Sequence, residues 1–198
     1  MAKRMFDAIA AALGLLLLAP VLLAVAIAVR LDSPGPVFFR QERVGRGGRT
    51  FRIHKFRTMH VDAPSQGPPI TVGVDPRITR VGHVLRGHRL DELPQLIDVL
   101  WGDMSLVGPR PEVPRYVEHY PPEMRAKVLS VRPGITDPAS LEHLDEATLL
   151  ASASDPEREY VQVILPRKLA LQADYAARAT LASDLKVIAR TLRAVWGR

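Results

Sequence analysis

AIAAALGLLLLAPVLLAVAIAV, residues 8–29, decides how this chain is built. No side chain in that run carries a charge or a hydrogen-bonding group. As a helix rising about 1.5 Å per residue, the run matches a hydrocarbon core of roughly 30 Å, so a membrane is implicated. Pro20 lies near its middle. It has no amide hydrogen and clashes with the carbonyl four residues back, which predicts a kink or break around Leu16–Pro20. Lys3 and Arg4 precede the run, and Arg30, Arg40, Arg43, Arg46, Arg49, Arg52, Lys55 and Arg57 follow it. Basic flanks favour one side of a bilayer, and here both ends favour the same side. A re-entrant helix-break-helix satisfies both observations, and a kinked spanning helix is the alternative that the residues leave open. A signal peptide fits poorly: the run continues apolar beyond the small residues Ala24, Val25 and Ala26 and exceeds an h-region of about 7 to 15 residues.

The formal charge is +6 and there is no cysteine among the 198 residues, which excludes disulfides and thiolate chemistry. Between Arg30 and His60, eight Lys/Arg face only Asp32 and Glu42, so the excess sits beside the apolar segment. Such a patch suits anionic lipid or a nucleotide's phosphates. Nucleic acid is not expected as a partner, because Phe38, Phe39, Phe51 and Phe56 fall where alternating strands would use them for packing. About 170 residues remain for a single further domain.

Asp32-Ser33-Pro34-Gly35-Pro36 is a turn cluster that stops the second half of the apolar helical run. Val37–Arg43 and Thr50–Phe56 read as strands joined through Gly45, Gly47 and Gly48, a small β-hairpin. Residues 60–76 read as a surface loop. Ile78, Val81, Val84 and Leu85 recur at helical spacing, with an end near Gly87. Leu93, Leu96, Ile97, Leu100 and Trp101 form the stripe of another core-facing helix, with Asp91 at or near its N-cap. Gly102–Pro111 reads as a loop fixing Arg110 between two prolines, Arg115–Val131 as a short helix, and Arg132–Thr136 as a turn. Helices are expected over 147–153 and 157–164, with a break at Pro166. An amphipathic region follows over 167–196, interrupted near Thr180–Ser183, whose Arg190, Arg193, Trp196 and Arg198 suit either an interfacial or a core-packed helix.

Asp91 and Glu92 are the sharpest chemical signal. A carboxylate at a helix start is ordinarily a cap, yet this pair keeps company with Lys55, Arg57, Arg86, Arg89, Arg110 and Arg132, all in or beside turns. Adjacent carboxylates amid cations suit a Mg²⁺ and phosphate site.

Lys3-Arg4-Met5-Phe6-Asp7 before the apolar run, Lys55-Phe56-Arg57-Thr58-Met59, Leu90-Asp91-Glu92-Leu93-Pro94-Gln95-Leu96, Gly102-Asp103-Met104-Ser105 through Gly108-Pro109-Arg110-Pro111, and Arg132-Pro133-Gly134-Ile135-Thr136 together resemble the bacterial sugar transferase family of small monotopic phosphoglycosyl transferases. The resemblance implies an α+β, mostly helical monotopic protein at the cytoplasmic face of the bacterial inner membrane, with residues 1–30 re-entrant, residues 31–198 catalytic, and amphipathic interfacial helices. It further implies transfer of a sugar 1-phosphate from a UDP-sugar to a polyprenyl phosphate such as undecaprenyl phosphate, with release of UMP and with Mg²⁺ as cofactor, as the first membrane step of a glycoconjugate pathway. Asp91 would be the nucleophile, and Glu92 would assist at the metal or accept a proton. Both would be metal ligands, while Arg86, Arg110, Lys55 and Arg132 would contact phosphate. Anionic lipids would be partners, and a homodimer stays open. Two departures from the family pattern stand out: Ala19 replaces a serine frequent before the proline, and Asp137-Pro138-Ala139-Ser140-Leu141-Glu142-His143 replaces a Gly-Trp-Ala-Gln loop that ends in arginine. The competing readings are a membrane-bound glycosyltransferase that releases UDP and a non-catalytic membrane adaptor in which Asp91 merely caps a helix.

Overall fold

The computed structural model describes residues 1–67, 70–142 and 146–196, so His143 and Arg198 lie outside the described residues. The apolar run forms α1 (Ala2–Asp32), a single helix of 31 residues with Pro20 inside it. Of the expected kink or break, a break that ends the helix at Pro20 is therefore excluded. One lost amide bond at Pro20 is a local penalty, and the helix continues because both of its halves are docked on the rest of the chain. In the first half, Ala11, Leu15 and Leu18 pack with Ile53, Leu96, Val99 and Met104. In the second, Leu22, Val25, Ala26 and Val29 pack with Phe56, Val81, Leu85 and Leu90. The opposite stripe, including Ile9, Leu13, Leu16, Leu17, Leu23, Ile27 and Leu31, is exposed. At the end of α1 the buried Arg57 guanidinium donates to the carbonyls of Ser33 (2.8 Å) and Pro36 (2.6 Å) and to the Ser33 hydroxyl. A cation is the right cap where last-turn carbonyls lack helical partners.

The hairpin forms as its sequence predicts. β1 (Phe38–Phe39) pairs with β4 (Lys55–Phe56), and β2 (Glu42–Val44) pairs with β3 (Thr50–Arg52), all antiparallel, with Phe38 opposite Phe56 and Glu42 opposite Arg52. Gly47 (φ 70°) and Gly48 (φ 80°) make the turn. Next comes α2 (Arg80–Gly87), capped by the Thr79 hydroxyl, which accepts the Gly82 amide at 3.0 Å. Gly82 has no substitute, since a Cβ there would lie 2.1 Å from the Thr58 carbonyl oxygen. A 3-10 turn at Leu90–Glu92 leads into α3 (Gln95–Trp101), which packs against α1.

Two stretches read as loop and turn are instead β5 (Ser105–Val107) and β6 (Gly134–Thr136), a parallel pair. Three residues are too few to show alternation, and the pairing requires the backbones of Gly108 and Gly134 to touch, where a Cβ on Gly134 would meet the Gly108 amide nitrogen at 2.0 Å. Pro121 and Pro122 divide the expected 115–131 helix into α4 (Pro114–Val117) and α5 (Pro122–Val128). The chain continues through α6 (Pro138–Glu142), α7 (Glu146–Ala151) and α8 (Pro156–Glu159). The break expected at Pro166 is absent. A π turn at Tyr160–Ile164 flows into α9 (Leu165–Arg178), its wider i→i+5 bonding absorbing the missing proline donor. After the expected interruption, α10 (Leu181–Trp196) buries Asp184 and Val187 and exposes Leu185 and Leu192. The main core lies among α4, α5 and α9, around Val113, Tyr116, Val128, Tyr160, Leu165 and Leu169. Long helices with three two-stranded pairings make the fold α+β, and the exposed apolar face of α1 marks a membrane-associated protein.

Candidate active site

The 3-10 turn at Leu90–Glu92 is where hairpin, α2 and α3 converge. Arg89 starts it in the left-handed region (φ 54°), the only non-glycine residue there among the described residues, a conformation that costs about 1–2 kcal/mol. Pro94 delays the helix to Gln95, so Asp91 is not its N-cap and makes no side-chain capping bond. Its buried carboxylate instead faces Lys55 on β4, with Oδ2 to Nζ at 2.8 Å. Glu92 stands beside it and meets three cations: Arg110, which hydrogen-bonds Oε1; Lys55 at 3.6 Å; and Arg89 at 3.5 Å from Oε2. Burial alone would push the Glu92 carboxyl up, but Arg110, Lys55 and Arg89 outweigh it and hold Glu92 well below the usual carboxylate range. The same contact raises the Arg110 guanidinium far above its ordinary value.

Arg86 completes the ring. Its Nε donates to Thr58 Oγ1 at 2.9 Å and its Nη1 to Thr71 Oγ1 at 2.8 Å, so hydroxyls hold it rather than a carboxylate. Burial lowers its pKa, opposed by the nearby Asp91. Burial likewise lowers that of Arg89, opposed by Glu92. Arg110 is oriented from behind. Its backbone amide donates to Asp137 Oδ2 at 3.1 Å, and that fully buried carboxylate also accepts Gln172 Nε2 at 2.8 Å. Two residues further, buried Glu112 accepts from Tyr160 Oη (2.5 Å) and lies 3.7 Å from both Arg43 and Lys168.

Asp91, Glu92, Lys55, Arg86 and Arg110 are thus brought together. Arg132 is not. Its Nε donates to the Gly102 carbonyl at 2.7 Å, at the far end of α3 and roughly 15 Å along the chain axis from Asp91. Its guanidinium supports the turn at Gly102 and makes no ion pair with Asp91 or Glu92 among the described residues. Arg89, which the sequence places among the neighbouring cations without a role, and Asp137, which it marks only as a departure from the family pattern, join the site. For Arg89 the signal is a cation two residues before Asp91 and just past a helix-ending glycine, and for Asp137 the replacement of another residue type.

Two carboxylates against Lys55, Arg86, Arg89 and Arg110 leave the cluster with excess positive charge. No group of three or more metal-ligating side chains occurs among the described residues. Asp91 and Glu92 are the carboxylates at hand for a divalent ion, and Mg²⁺ commonly takes one or two such groups together with phosphate oxygens.

Two buried carboxylates amid a ring of cations, beside an exposed apolar helix, form a site whose charge suits a phosphorylated anion. The chain belongs to the bacterial sugar transferase family, whose model matches residues 1–198. It is 43% identical over 195 residues to a UDP-glucose:undecaprenyl-phosphate glucose-1-phosphate transferase of Caulobacter vibrioides, covering 96% of this chain and 68% of that one. It is 46% identical over 143 residues to a UDP-N-acetylgalactosamine-undecaprenyl-phosphate N-acetylgalactosaminephosphotransferase of Aeromonas hydrophila (71% and 34%). It is 47% identical over 136 residues to a UDP-glucose:undecaprenyl-phosphate glucose-1-phosphate transferase of Escherichia coli (68% and 29%). The chain therefore spans about two thirds of the first relative and about a third of the other two.

Proposed function

We propose that the protein is a phosphoglycosyl transferase that moves a sugar 1-phosphate from a UDP-sugar to a polyprenyl phosphate, undecaprenyl phosphate by likeness to its relatives, and releases UMP. The observation that carries this reading is the environment of Asp91: a buried carboxylate at a helix start that caps nothing and faces Lys55 inside a ring of arginines. An adaptor would use Asp91 as a cap.

In the first step an Asp91 carboxylate oxygen attacks the β-phosphorus of the donor. The bond from that phosphorus to the bridging oxygen breaks, and UMP leaves with the electron pair. In the second, an oxygen of the polyprenyl phosphate attacks the same phosphorus and displaces Asp91, giving the polyprenyl diphosphosugar. A carboxylate nucleophile thus divides one difficult displacement into two. Lys55 lies across Asp91 and swings aside as the diphosphate enters. Arg86, Arg89 and Arg110 neutralise the phosphate oxygens and stabilise the charge that develops. Glu92, held ionised by Arg110, Lys55 and Arg89, positions Arg110 against the phosphate. Bound Mg²⁺ would neutralise the diphosphate and the departing UMP.

Residues 1–30 form the membrane-embedded part and 31–198 the catalytic part, at the cytoplasmic face of the inner membrane, where nucleotide sugars are found. Monotopic, re-entrant insertion is supported by the basic residues at both ends of α1 and by the packing of both its halves on one domain. A spanning α1 would carry the charged α2 and the 3-10 turn at Leu90–Glu92 into hydrocarbon, at several kcal/mol per charge.

The test is to incubate detergent-extracted protein with Mg²⁺ and UDP-sugars labelled in the sugar and in the β-phosphate. Protein-bound label and stoichiometric UMP are expected from the wild type, and neither from Asp91→Asn. UDP as the product would indicate a glycosyltransferase, and label persisting in Asp91→Asn would refute the assignment of the nucleophile.

A further inference from the structure

We propose that Phe38, Phe39 and Trp101, flanked by Arg40 and Arg52, form a second lipid-contacting surface that seats the root of the hairpin and the end of α3 at headgroup depth on an anionic bilayer. The inference rests on the membrane association of α1 and is independent of the covalent chemistry.

Alternation along a strand turns successive side chains to opposite faces, so one of two adjacent phenylalanines in a soluble domain ordinarily enters the core. In β1 both stay out: Phe38 is 39% and Phe39 37% exposed. Trp101 at the end of α3 is 65% exposed, next to Leu100 at 39%. The rings form a row. Phe38 stacks on Phe56 with centroids 5.5 Å apart, His54 lies 6.2 Å from Phe38, and Trp101 lies 5.1 Å from His54.

Both ends of the row meet α1. Phe56 belongs to the cluster containing Val25 and Val29. Beside Trp101, the carbonyls of Val99 and Leu100 accept from Arg4 Nη1 (2.6 Å) and Nη2 (2.8 Å). The aromatic surface is therefore continuous with a helix whose outer stripe is itself apolar and exposed.

The charges have the matching sign. Arg40 donates to the Arg52 carbonyl at 2.9 Å and contacts His54 Nε2 at 2.6 Å, and Arg52 donates back to the Arg40 carbonyl. Neither arginine pairs with a carboxylate among the described residues. Exposed apolar rings, with the indole N–H of Trp101 as their polar handle, flanked by arginines that have no carboxylate partner among the described residues, fit the boundary between acyl chains and anionic headgroups.

The other end of the hairpin provides an internal control. Its tip docks on the end of α5, where the Gly47 amide donates to the Leu129 carbonyl and Arg46 to that of Ser130. The six extended steps along the chain from Phe39 to Gly45 separate root from tip by roughly 20 Å.

The chain has no cysteine, so a single introduced one can carry an environment-sensitive nitrobenzoxadiazole probe. Full-length Phe39→Cys and Arg49→Cys, labelled and reconstituted into phosphatidylcholine–phosphatidylglycerol vesicles, should differ: the probe at 39 emits blue-shifted and is reduced by dithionite several-fold more slowly than the probe at 49. Equal emission and equal reduction at the two positions would overturn the proposal. The chain has two tryptophans, so a Trp196→Phe variant with Phe39 intact leaves Trp101 as the only one and supplies a second measurement. Lipids brominated near the carbonyl end of the acyl chain should quench Trp101 more strongly than lipids brominated near the methyl end. Protection at 39 without any bromine quenching of Trp101 would mean that protein covers the patch, and would also overturn the proposal. Neither readout requires turnover, so failure here is distinguishable from failure of the proposed reaction.

Discussion

Asp91→Asn and Glu92→Gln should separate chemistry from stability at adjacent residues. Asp91 makes one ionic contact, to Lys55 at 2.8 Å, and no capping bond, and Lys55 keeps Glu92 nearby at 3.6 Å. Losing its charge should therefore cost about 1 kcal/mol, the scale of one net hydrogen bond. Glu92 compensates Arg110, Lys55 and Arg89 in a buried setting. Neutralising it strands those cations, and breaking such a buried arrangement costs about 3–5 kcal/mol. For a chain of this size about 2–4 °C accompanies each kcal/mol, so the melting temperature should fall by a few degrees in Asp91→Asn and by about 10 °C in Glu92→Gln. Activity should rank the other way. Asp91→Asn should lose a factor on the order of 10⁴ or more in turnover, as removal of a nucleophile does. Glu92→Gln should lose about 10²–10³, as misplacing a charge-stabilising group does. Differential scanning fluorimetry in one detergent and UMP release measure the two quantities on the same samples. An Asp91→Asn protein that melts as low as Glu92→Gln while retaining turnover would refute the reasoning and return Asp91 to a structural role.

Three further outcomes follow from the same contacts. Lys55 Nζ occupies the space between the two carboxylates, so Lys55→Met should raise the affinity of the substrate-free protein for Mn²⁺ by about tenfold or more, read by electron paramagnetic resonance; unchanged affinity would show that Lys55 and a divalent ion do not compete. Asp137→Ala removes the acceptor for the Arg110 amide and for Gln172, and should lower kcat/KM by about tenfold or more, chiefly in kcat, with a stability loss of about 1–3 kcal/mol. Glu112 is pushed up by burial but held lower by Lys168, Arg43 and the Tyr160 hydroxyl, so its folded pKa lies below its unfolded one. Its contribution is then complete above about pH 4.5 and is lost as pH falls through the folded value; Glu112→Gln should lower the melting temperature at neutral pH and flatten its acid limb, and an unchanged limb would contradict the assignment.

Sequence made legible what rests on long periodicity. α1, the hairpin with its glycine turn, and the stripes of α2 and α3 all follow from the spacing of apolar residues. The parallel pairing of β5 with β6 was invisible because each strand is three residues long and is defined by a partner nearly thirty positions away. Pro20 and Pro166 both mislead when read locally, since tertiary docking carries α1 past one and a π turn carries the chain past the other. Asp91 was found for a reason that the fold corrects. Its place before an apolar stripe suggests a cap, but Pro94 moves the helix start, leaving the carboxylate free for another role. Arg132 shared the turn context of Arg110, and only the three-dimensional path separates them.

The ends of α1 attach to opposite walls of the site. At its C-terminal end Arg57 caps the helix, and the next residue, Thr58, accepts from Arg86 through its hydroxyl and bonds Thr79, the cap of α2, through its carbonyl. At its N-terminal end buried Asp7 accepts from Ser105 Oγ (2.8 Å) and the Leu106 amide (3.4 Å), which starts β5 and so sets the path through Gly108 and Pro109 to Arg110. Lys3 ties the same end to Asp184 of α10, whose other oxygen accepts Tyr175 Oη at 2.6 Å. Between these ties, Leu90 of the 3-10 turn, the neighbour of Asp91, packs on Val25 and Val29. A shift of α1 in its bed would therefore move Arg86 and Arg110 relative to the carboxylates between them. An effective site depends on such groups being held within about an ångström of the productive geometry. The apolar helix thus forms one wall of the catalytic framework as well as an attachment to lipid, which gives a physical reason for a membrane segment docked along its length and not joined by a linker.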